Sequence, residues 1–239
     1  MVARNLFLVL LFLVVTVSAN AQIGQPRRDV SIGVSAGITM NSVSFNPSVA
    51  QGMKTSPMFG IALRYNCEKY FTALCGLQME VNWCKLGWKE DFSKSAHPDY
   101  HYTRDMNYIT VPILARMGWG RERKGLLGYI MAGPQLGFLI SEKEDMTPIL
   151  ADTDASISLA RRAQYGKAAQ NKFDYGITAG AGIEFNTRKA GHFMIDGRYY
   201  LGLADIFNNG KADYFGRSAN GTITVKFTYL FDILKTKQE

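Results

Sequence analysis

FDYGITAGAGIEFNTRKAGHFMIDGRYYLGL, residues 173–203, is the stretch of sequence that decides the fold. Apolar side chains occupy alternate positions from Phe173 to Phe185, and a similar alternation resumes at Phe193 after a short turn. A period of two is typical of β-strands with one apolar and one polar face, because successive side chains of a strand point to opposite sides. The stretch therefore predicts two amphipathic strands joined by a tight turn.

The polar face of these two strands consists mostly of glycine, with isolated charges such as Asp174, Glu184 and Arg198. A face in contact with water would normally carry many Lys, Glu, Ser and Thr side chains. Glycines and isolated charges instead fit a crowded polar interior, with the apolar side chains turned outward to lipid. The pattern therefore favours a membrane-spanning β-barrel.

The N-terminus has the features of a secretory signal peptide. Arg4 precedes a nearly unbroken apolar run at residues 6–17, and Ala19-Asn20-Ala21 has the A-x-A form of a cleavage site. The apolar run is shorter than the roughly 20 residues that a transmembrane helix needs. We therefore predict export, with residues 1–21 removed as a signal peptide and residues 22–239 forming one outer-membrane barrel domain.

Residues 22–239 carry eight strand patterns of this kind. The strands are expected at about residues 29–40, 57–66, 71–84, 102–119, 126–140, 173–185, 192–203 and 221–231. Short and long connections alternate along the series, as in outer-membrane barrels with short periplasmic turns and long extracellular loops. The predicted fold is an all-β, eight-stranded antiparallel up-and-down transmembrane β-barrel, followed by a short periplasmic C-terminal tail.

A soluble lipocalin-like barrel is the main alternative, since it also combines a signal peptide with eight strands. It would turn its apolar face inward, around a ligand. Aromatic residues near the strand ends favour the membrane barrel, because aromatic girdles mark the two lipid–water interfaces. These aromatic residues are Tyr65, Trp83, Tyr108, Trp119, Phe173 and Phe185.

The third predicted strand changes its phase towards its end. Apolar residues hold the odd positions from Leu77 to Trp83, whereas Leu86 and Trp88 hold even ones. Such a change predicts either a β-bulge or an end of the contact with lipid.

Charged residues on the predicted interior face suggest how the barrel is filled. The interior of an eight-stranded barrel is just wide enough for its own side chains. Four basic and four acidic residues fall on this face, so their charges cancel. Because buried charges need partners, we predict a structural ion-pair network that fills the lumen, with a proton or ion path as the alternative. The predicted network consists of Arg64, Glu80, Arg116, Asp174, Glu184, Asp196, Arg198 and Lys226.

Several motifs resemble those of the PorT-like family of outer-membrane β-barrels. They are Gly33-x-x-x-Gly37, Leu77-Gln78-Met79-Glu80, Asn107-Tyr108-Ile109-Thr110-Val111-Pro112, Ala132-Gly133-Pro134-Gln135-Leu136-Gly137 and Asp196-Gly197-Arg198-Tyr199-Tyr200-Leu201-Gly202-Leu203. The resemblance covers nearly the whole chain after the signal peptide. It implies an OmpA-like barrel in the outer membrane of a Gram-negative bacterium, but no settled activity. One branch of the family is similar to a component of a protein-secretion machine.

The last predicted strand ends in alternating aromatics, Phe227, Tyr229 and Phe231, similar to the signal that barrel-insertion machinery recognises. A further segment, residues 232–239, follows them, which departs from the usual pattern of ending at the aromatic residue. The expected partners are the insertion machinery and outer-membrane lipid, including lipopolysaccharide. Secretion or envelope proteins are further candidates.

The formal charge of the chain is +7, or +6 once Arg4 leaves with the signal peptide. Much of the basic excess lies in two tight turns, residues 121–124 and 188–189. Charged turns near a membrane surface explain this excess, so nucleic acid is not an expected partner.

The histidines are the natural place to look for catalysis or metal binding. The second long loop contains His97 and His101, with Ser93, Ser95 and Asp105 nearby. Their spacing is not selective for acid–base chemistry or for a metal, and His192 lies at the opposite, periplasmic end. The sequence therefore predicts no enzyme, no metal and no cofactor.

Three cysteines, Cys67, Cys75 and Cys84, leave at least one thiol without a partner in the same chain. Cys75 and Cys84 face opposite ways on one predicted strand, which rules against joining them. Cys67 and Cys75 could bridge the turn between two strands, and the periplasm would permit such a disulfide. Whether they pair is left open.

The third long loop, residues 141–172, is the best place for specific recognition, because loops of this length tend to be functional or disordered. Residues 155–170 are expected to form a short helix, and a mobile loop without a partner is the alternative. We predict a non-enzymatic envelope scaffold or surface-interaction protein. An accessory subunit of a secretion or envelope-assembly machine is second, and a small-solute channel or lipid A-modifying enzyme is third.

Overall fold

A computed structural model describes residues 24–93, 98–148, 158–187, 190–211 and 213–236. Its strands are β1 (Gln25–Asn46), β2 (Gln51–Gly52), β3 (Lys54–Tyr70), β4 (Ala73–Glu90), β5 (Tyr102–Gly120), β6 (Gly125–Met146), β7 (Phe173–Asn186), β8 (His192–Asp205) and β9 (Arg217–Leu234). A one-turn helix, α1 (Leu159–Arg162), lies between β6 and β7. The predicted signal peptide lies outside the described residues.

The eight long strands form a closed antiparallel ring. Each pairs with its neighbours in chain order, and β1 pairs with both β3 and β9 to complete the circle. The short strand β2 adds to the end of β4. The ring confirms the predicted all-β, eight-stranded antiparallel barrel. No helix in the described part of the chain is long and apolar enough to cross a membrane.

The faces of the strands follow the alternation of the sequence. In β7, Ile177 and Ile183 are 53% and 56% exposed, whereas Thr178 and Glu184, the residues that follow them, are buried. The closed ring explains this, because every second side chain must point into its narrow interior. The apolar residues thus form the outer surface of the barrel.

Five of the six aromatic residues that were predicted to face lipid are exposed on the outer surface. They are Tyr65, Trp83, Trp119, Phe173 and Phe185. Tyr108 was placed wrongly. It shares the phase of Thr110 and Arg116 on β5, and it is buried inside the barrel.

The two ends of the barrel differ. We call the end with the short connections after β3, β5 and β7 the turn end, and the opposite end the loop end. Strands β1, β4 and β6 continue past their predicted ends towards the loop end, reaching Asn46, Glu90 and Met146. The barrel wall therefore extends beyond the exposed apolar side chains, since about 9–11 residues per strand are enough to cross the membrane.

The phase change in β4 is not a bulge. The pairing of β4 with β5 keeps one register from Asn82 through Lys89, and Leu86 and Trp88 point inward like Glu80 before them. What changes is the interior, which is polar around Glu80 and apolar around Trp88. Of the two predicted explanations, a β-bulge or an end of the contact with lipid, only the second agrees with the continuous register of β4 and β5.

The three cysteines carry free thiols in this structure. Cys67 and Cys75 lie across the β3–β4 hairpin, where the Cys67 thiol donates a hydrogen bond to the carbonyl oxygen of Cys75 at 3.4 Å. The register of the hairpin shifts beside Cys67, between Asn66 and Glu68. Cys84 is buried inside the barrel.

Candidate functional site: the barrel interior and the loop-end cap

One group of buried charges is centred on Glu184 of β7. Its carboxylate pairs with Arg64 of β3, with Nη1 and Oε1 2.7 Å apart, and its other oxygen pairs with Arg116 of β5. The imidazole Nδ1 of His192 also lies 2.9 Å from this carboxylate. Three strands that are distant in sequence are thereby held together across the lumen.

A second group is centred on Glu80 of β4. Arg198 of β8 donates to both of its oxygens, at 3.0 and 2.9 Å, and Lys226 Nζ of β9 lies 2.6 Å away. Asp196 accepts a further bond from Arg198 Nε at 2.5 Å. All four of these side chains are buried. This group therefore joins one wall of the barrel to the opposite wall.

Tyr129 of β6 connects the two groups. The Arg116 guanidinium lies 4.0 Å from the centroid of its ring, and its hydroxyl donates to Asp196 Oδ2 at 3.3 Å. Sequence reasoning missed this residue, although its odd position in β6 places it on the inward face with Met131. With Tyr129 included, the groups around Glu184 and Glu80 form one continuous layer.

Asp174 is the member of the predicted network that the structure does not bring to a cation. It lies nearer the loop end, where its carboxylate accepts a hydrogen bond from Asn220 at 3.0 Å and has no basic partner within 4 Å among the described residues. The prediction was wrong for this residue because facing the lumen does not fix the height at which a side chain lies along it.

On the loop-end side of the buried charges, an aromatic cluster fills the barrel. It consists of Phe45, Trp88, Phe207 and Phe215, with ring centroids 5.0 to 6.4 Å apart. The Arg104 guanidinium lies 5.4 Å from the Trp88 ring and 5.7 Å from the Phe207 ring, as in a cation–π contact. The interior is thus apolar at this height, whereas the predicted interior was polar.

Residues 158–172, which we call the cap segment, fold onto this cluster. Trp88 Nε1 donates to the side chain of Gln164 at 3.0 Å, and Arg104 donates to the carbonyl oxygens of Gln164 and Lys167 at 3.3 and 2.8 Å. Two carboxylates of β6, Glu142 and Glu144, accept bonds from backbone N–H groups of the segment. The cap segment therefore closes the loop end instead of leaving an open mouth.

The predicted helix at residues 155–170 is shorter in the structure. Only α1, Leu159–Arg162, is helical, and residues 155–157 lie outside the described part. After α1, isolated turn bonds continue to Gly166, whose positive φ of 65° is a left-handed conformation that a helix does not continue through. Beyond it, the Lys167 N–H still bonds to the carbonyl oxygen of Gln164, whereas the Lys167 carbonyl accepts from Arg104 and the Ala169 N–H donates to Glu142.

Glu90 holds the cap segment from the end of β4. It accepts hydrogen bonds from Gln164 and from the Tyr165 hydroxyl, the latter at 2.9 Å, and lies 3.7 Å from Arg161. This carboxylate is beyond the exposed apolar residues of β4, which end at Trp83. Burial raises the pKa of Glu90 to about 7. It therefore titrates near neutral pH.

A smaller set of contacts lies at the turn end. Glu122, in the turn between β5 and β6, lies 2.5 Å from Lys69 and 3.5 Å from Arg27. After β9 the backbone N–H of Thr236 donates to Asp29 at 2.7 Å, so the start of the tail lies against β1. The β5–β6 turn and the start of the tail therefore lie over part of the turn end.

The residues considered for catalysis do not form one site. The His101 ring forms a hydrogen bond with the Thr147 hydroxyl at 3.0 Å and lies 3.8 Å from Asp145. Asp105 instead forms ion pairs with Lys54 and Lys85. Ser93 donates its backbone N–H to Asp91. His97 and Ser95 lie outside the described residues. Within the described part of the chain, no group of three or more His, Cys, Asp and Glu residues could hold a metal.

Solved outer-membrane barrels resemble the chain. OprG from Pseudomonas aeruginosa is 11% identical, with 87% of this chain and 98% of that one covered and a TM-score of 0.48. Neisserial surface protein A is 13% identical, with 84% and 97% covered and a TM-score of 0.41. The outer membrane enzyme PagL is 9% identical, with 83% and 98% covered and a TM-score of 0.43. Likeness at this level assigns no activity.

The prediction excluded an enzyme, and this exclusion is wrong. PagL, one of these similar structures, is itself an outer membrane enzyme. A barrel of this architecture therefore gives no ground for excluding catalysis.

The sequence itself matches a family model over residues 20–208, from the end of the predicted signal peptide into the connection between β8 and β9. No curated protein sequence matches the chain. The match is to this family and does not show the PorT-like branch that the sequence motifs resemble. Because its model covers well over half of the chain, the protein belongs to the family described as outer membrane protein beta-barrel domain.

Proposed function

We propose that this protein is a closed outer-membrane barrel that presents a folded loop surface to other molecules. The observation that carries the proposal is the cap segment, which is bonded to β4, β5 and β6 through Glu90, Arg104 and Glu142. A loop held by so many buried contacts is preorganised, and a preorganised surface loses less conformational entropy when it binds a partner.

The interior supports this role over that of a channel. Glu184 and Glu80 each bind two basic side chains from other strands, so that side chains occupy the middle of the lumen. Breaking such buried pairs to open a path would leave charges without partners, at a cost of about 3–5 kcal/mol for each pair. The barrel is therefore proposed to act as a rigid scaffold for its loop end.

The location follows from the family and from the signal-like N-terminus. We infer that residues 1–21 are removed on export, that residues 22–239 form the mature barrel domain, and that the loop end faces outward from a Gram-negative outer membrane. Lipid, including lipopolysaccharide, and the barrel-insertion machinery are proposed partners. Membership of the PorT-like branch, with a role beside secretion or envelope proteins, is the second proposal, supported by the sequence motifs alone.

Site-specific photo-crosslinking in intact cells would test the proposal. A photoreactive residue would replace Leu159 or Tyr214 at the loop end, which are 63% and 42% exposed. Phe71, exposed in the β3–β4 turn, would report on the turn end, and Ile61 on the lipid-facing surface. We expect the two loop-end positions to capture the same envelope or surface molecule, identified by mass spectrometry.

The pattern of crosslinks separates the alternatives. Capture of secretion or assembly subunits from Phe71, with none from Leu159 and Tyr214, would favour the accessory-subunit role. Capture at the loop-end positions of nothing beyond what the Ile61 position captures would reject the proposed surface interaction.

A further inference from the structure

The barrel wall is interrupted at one place near the loop end, between β7 and β8. Their ladder runs from the pair Asn186 and His192 as far as Gly176 and Gly202. Beyond the interruption, the two segments meet again where the backbone N–H of Asn171 donates to the carbonyl oxygen of Ile206 at 3.1 Å. The backbones between these points face each other without ladder pairing.

The two strands separate because each follows its other neighbour. Strand β7 stays paired with β6 up to the pair Phe138 and Phe173. Strand β8 shifts register against β9 between Leu201 and Asp205, and the Asp205 carboxylate accepts a hydrogen bond from the backbone N–H of Ser218 at 2.5 Å. We call this gap the β7–β8 notch; it is built into the wall by the register shift between β8 and β9.

A cavity of about 500 Å³ opens at this notch. Its volume lies within the range of pockets that bind small ligands, about 300–1,000 Å³. Three exposed apolar side chains, Phe173, Tyr175 and Leu203, line it, and they belong to the lipid-facing surface. Its remaining lining is mostly polar and comprises Gln170, Asn171, Lys172, Ala204, Asp205 and Asn209.

Lys172 is the basic residue that the notch presents to an anionic group. Among the described residues, Lys172 has no acidic partner within 4 Å, so its ammonium group is free to bind an anion. Asp205, the one acidic residue of the lining, is already engaged by Ser218 and by the Asn209 side chain at 2.9 Å. A cation beside an apolar surface is complementary to a phosphate that carries acyl chains.

We propose that the β7–β8 notch binds one phosphate-bearing membrane lipid. An acyl chain lies against Phe173, Tyr175 and Leu203, where the notch is continuous with the lipid-facing surface. The phosphate of the headgroup pairs with Lys172 at the polar rim. The inference rests on insertion of the barrel in a membrane and not on the proposed loop-surface function, so either can fail alone.

Native mass spectrometry of the full chain, released from nanodiscs of phosphatidylglycerol, tests the site. The readout is the fraction of protein that keeps one lipid after the surrounding lipids have been removed. Leu203→Trp fills the notch and should abolish this retention. Leu201→Trp is the matched control, because Leu201 is exposed on the same strand but is paired with Ile177 outside the notch.

The headgroup contact is tested separately. Lys172→Ala should lower retention about tenfold, as expected for the loss of one charge-assisted hydrogen bond. Lys124→Ala, in the exposed turn between β5 and β6, should leave retention unchanged. Diacylglycerol, which has no phosphate, should be retained less than phosphatidylglycerol. A heat-modifiable band on gels verifies that every variant is folded.

Several results would overturn the proposal. Equal retention by Leu203→Trp and Leu201→Trp would mean that the lipids are only part of the surrounding layer, as would a wild-type spectrum with no preferred single-lipid state. Unchanged retention in Lys172→Ala, or equal retention of diacylglycerol, would reject the phosphate contact.

Discussion

At the scale of the residue, the shared carboxylate of Glu184 carries the clearest energetic consequence. It neutralises part of the charge of both Arg64 and Arg116, and all three side chains are buried. Glu184→Gln leaves two guanidinium groups without their counter-charge. We expect the free energy of unfolding to fall by about 3–5 kcal/mol, measured by urea unfolding in detergent micelles.

The matched control for this prediction is Asp145→Asn. Asp145 is also a carboxylate opposite a basic side chain, His101, but its side chain is 73% exposed. Exposed pairs contribute little, so the unfolding curve of this variant should overlay that of the wild type. An equally small effect of Glu184→Gln would mean that the interior pairs do not stabilise the barrel.

Glu90 makes the cap segment sensitive to pH. Burial raises its pKa from the ordinary value of 4.5 to about 7 in the folded protein. The folded state therefore holds a proton that the unfolded segment releases between these values, so the associated stability is complete below about 4.5 and is lost as the pH rises through about 7. Hydrogen-exchange protection factors of residues 158–172 should be higher at about pH 5 than at about pH 8.

Substitution of the same residue checks the cause. Glu90→Gln keeps a side chain that can bond to Tyr165 but no longer titrates, so protection of the cap segment should become nearly independent of pH. Protection that falls with pH as steeply in the variant as in the wild type would mean that Glu90 is not the cause of the effect.

At the scale of the element, closure of the ring depends on the close approach of β1 and β9. A Cβ atom on Gly33 would lie 1.8 Å from the backbone carbonyl oxygen of Tyr229, a distance at which the strands must move apart. Gly33→Val should therefore lower the folded fraction, seen as loss of the heat-modifiable band on gels. Gly197→Val is the control, because a Cβ atom there meets nothing within 4 Å. Equal folding of the two variants would contradict the prediction.

Strand β4 shows why the predicted strands end earlier, at the loop end, than the strands of the structure. The alternation that reveals a strand requires that one face be apolar and the other polar. Beyond Trp83 the outward residues of β4, such as Lys85 and Lys89, are polar while Leu86 and Trp88 turn inward. The pattern inverts although the strand continues, so a count based on outward apolar residues ends too early.

At the scale of the whole molecule, the two ionic groups and the cap segment predict a barrel that does not conduct large ions. Purified protein in a planar bilayer should give no stable, porin-sized current steps. A variant in which a short linker replaces residues 158–172 should also give none, because Glu184 and Glu80 still hold basic side chains across the lumen. Stable current steps from the wild-type protein would contradict the interpretation that side chains fill the lumen.

The sequence by itself determined the closed barrel, because a period of two with apolar residues on one face and glycines and charges on the other leaves few alternatives. It also placed the lumen charges on the correct face. Only the tertiary structure decided which charges meet, as Arg64 and Glu184 are brought together by the ring and not by their spacing. The cap segment and the β7–β8 notch likewise depend on contacts between distant segments, which leave no periodic signal along the chain.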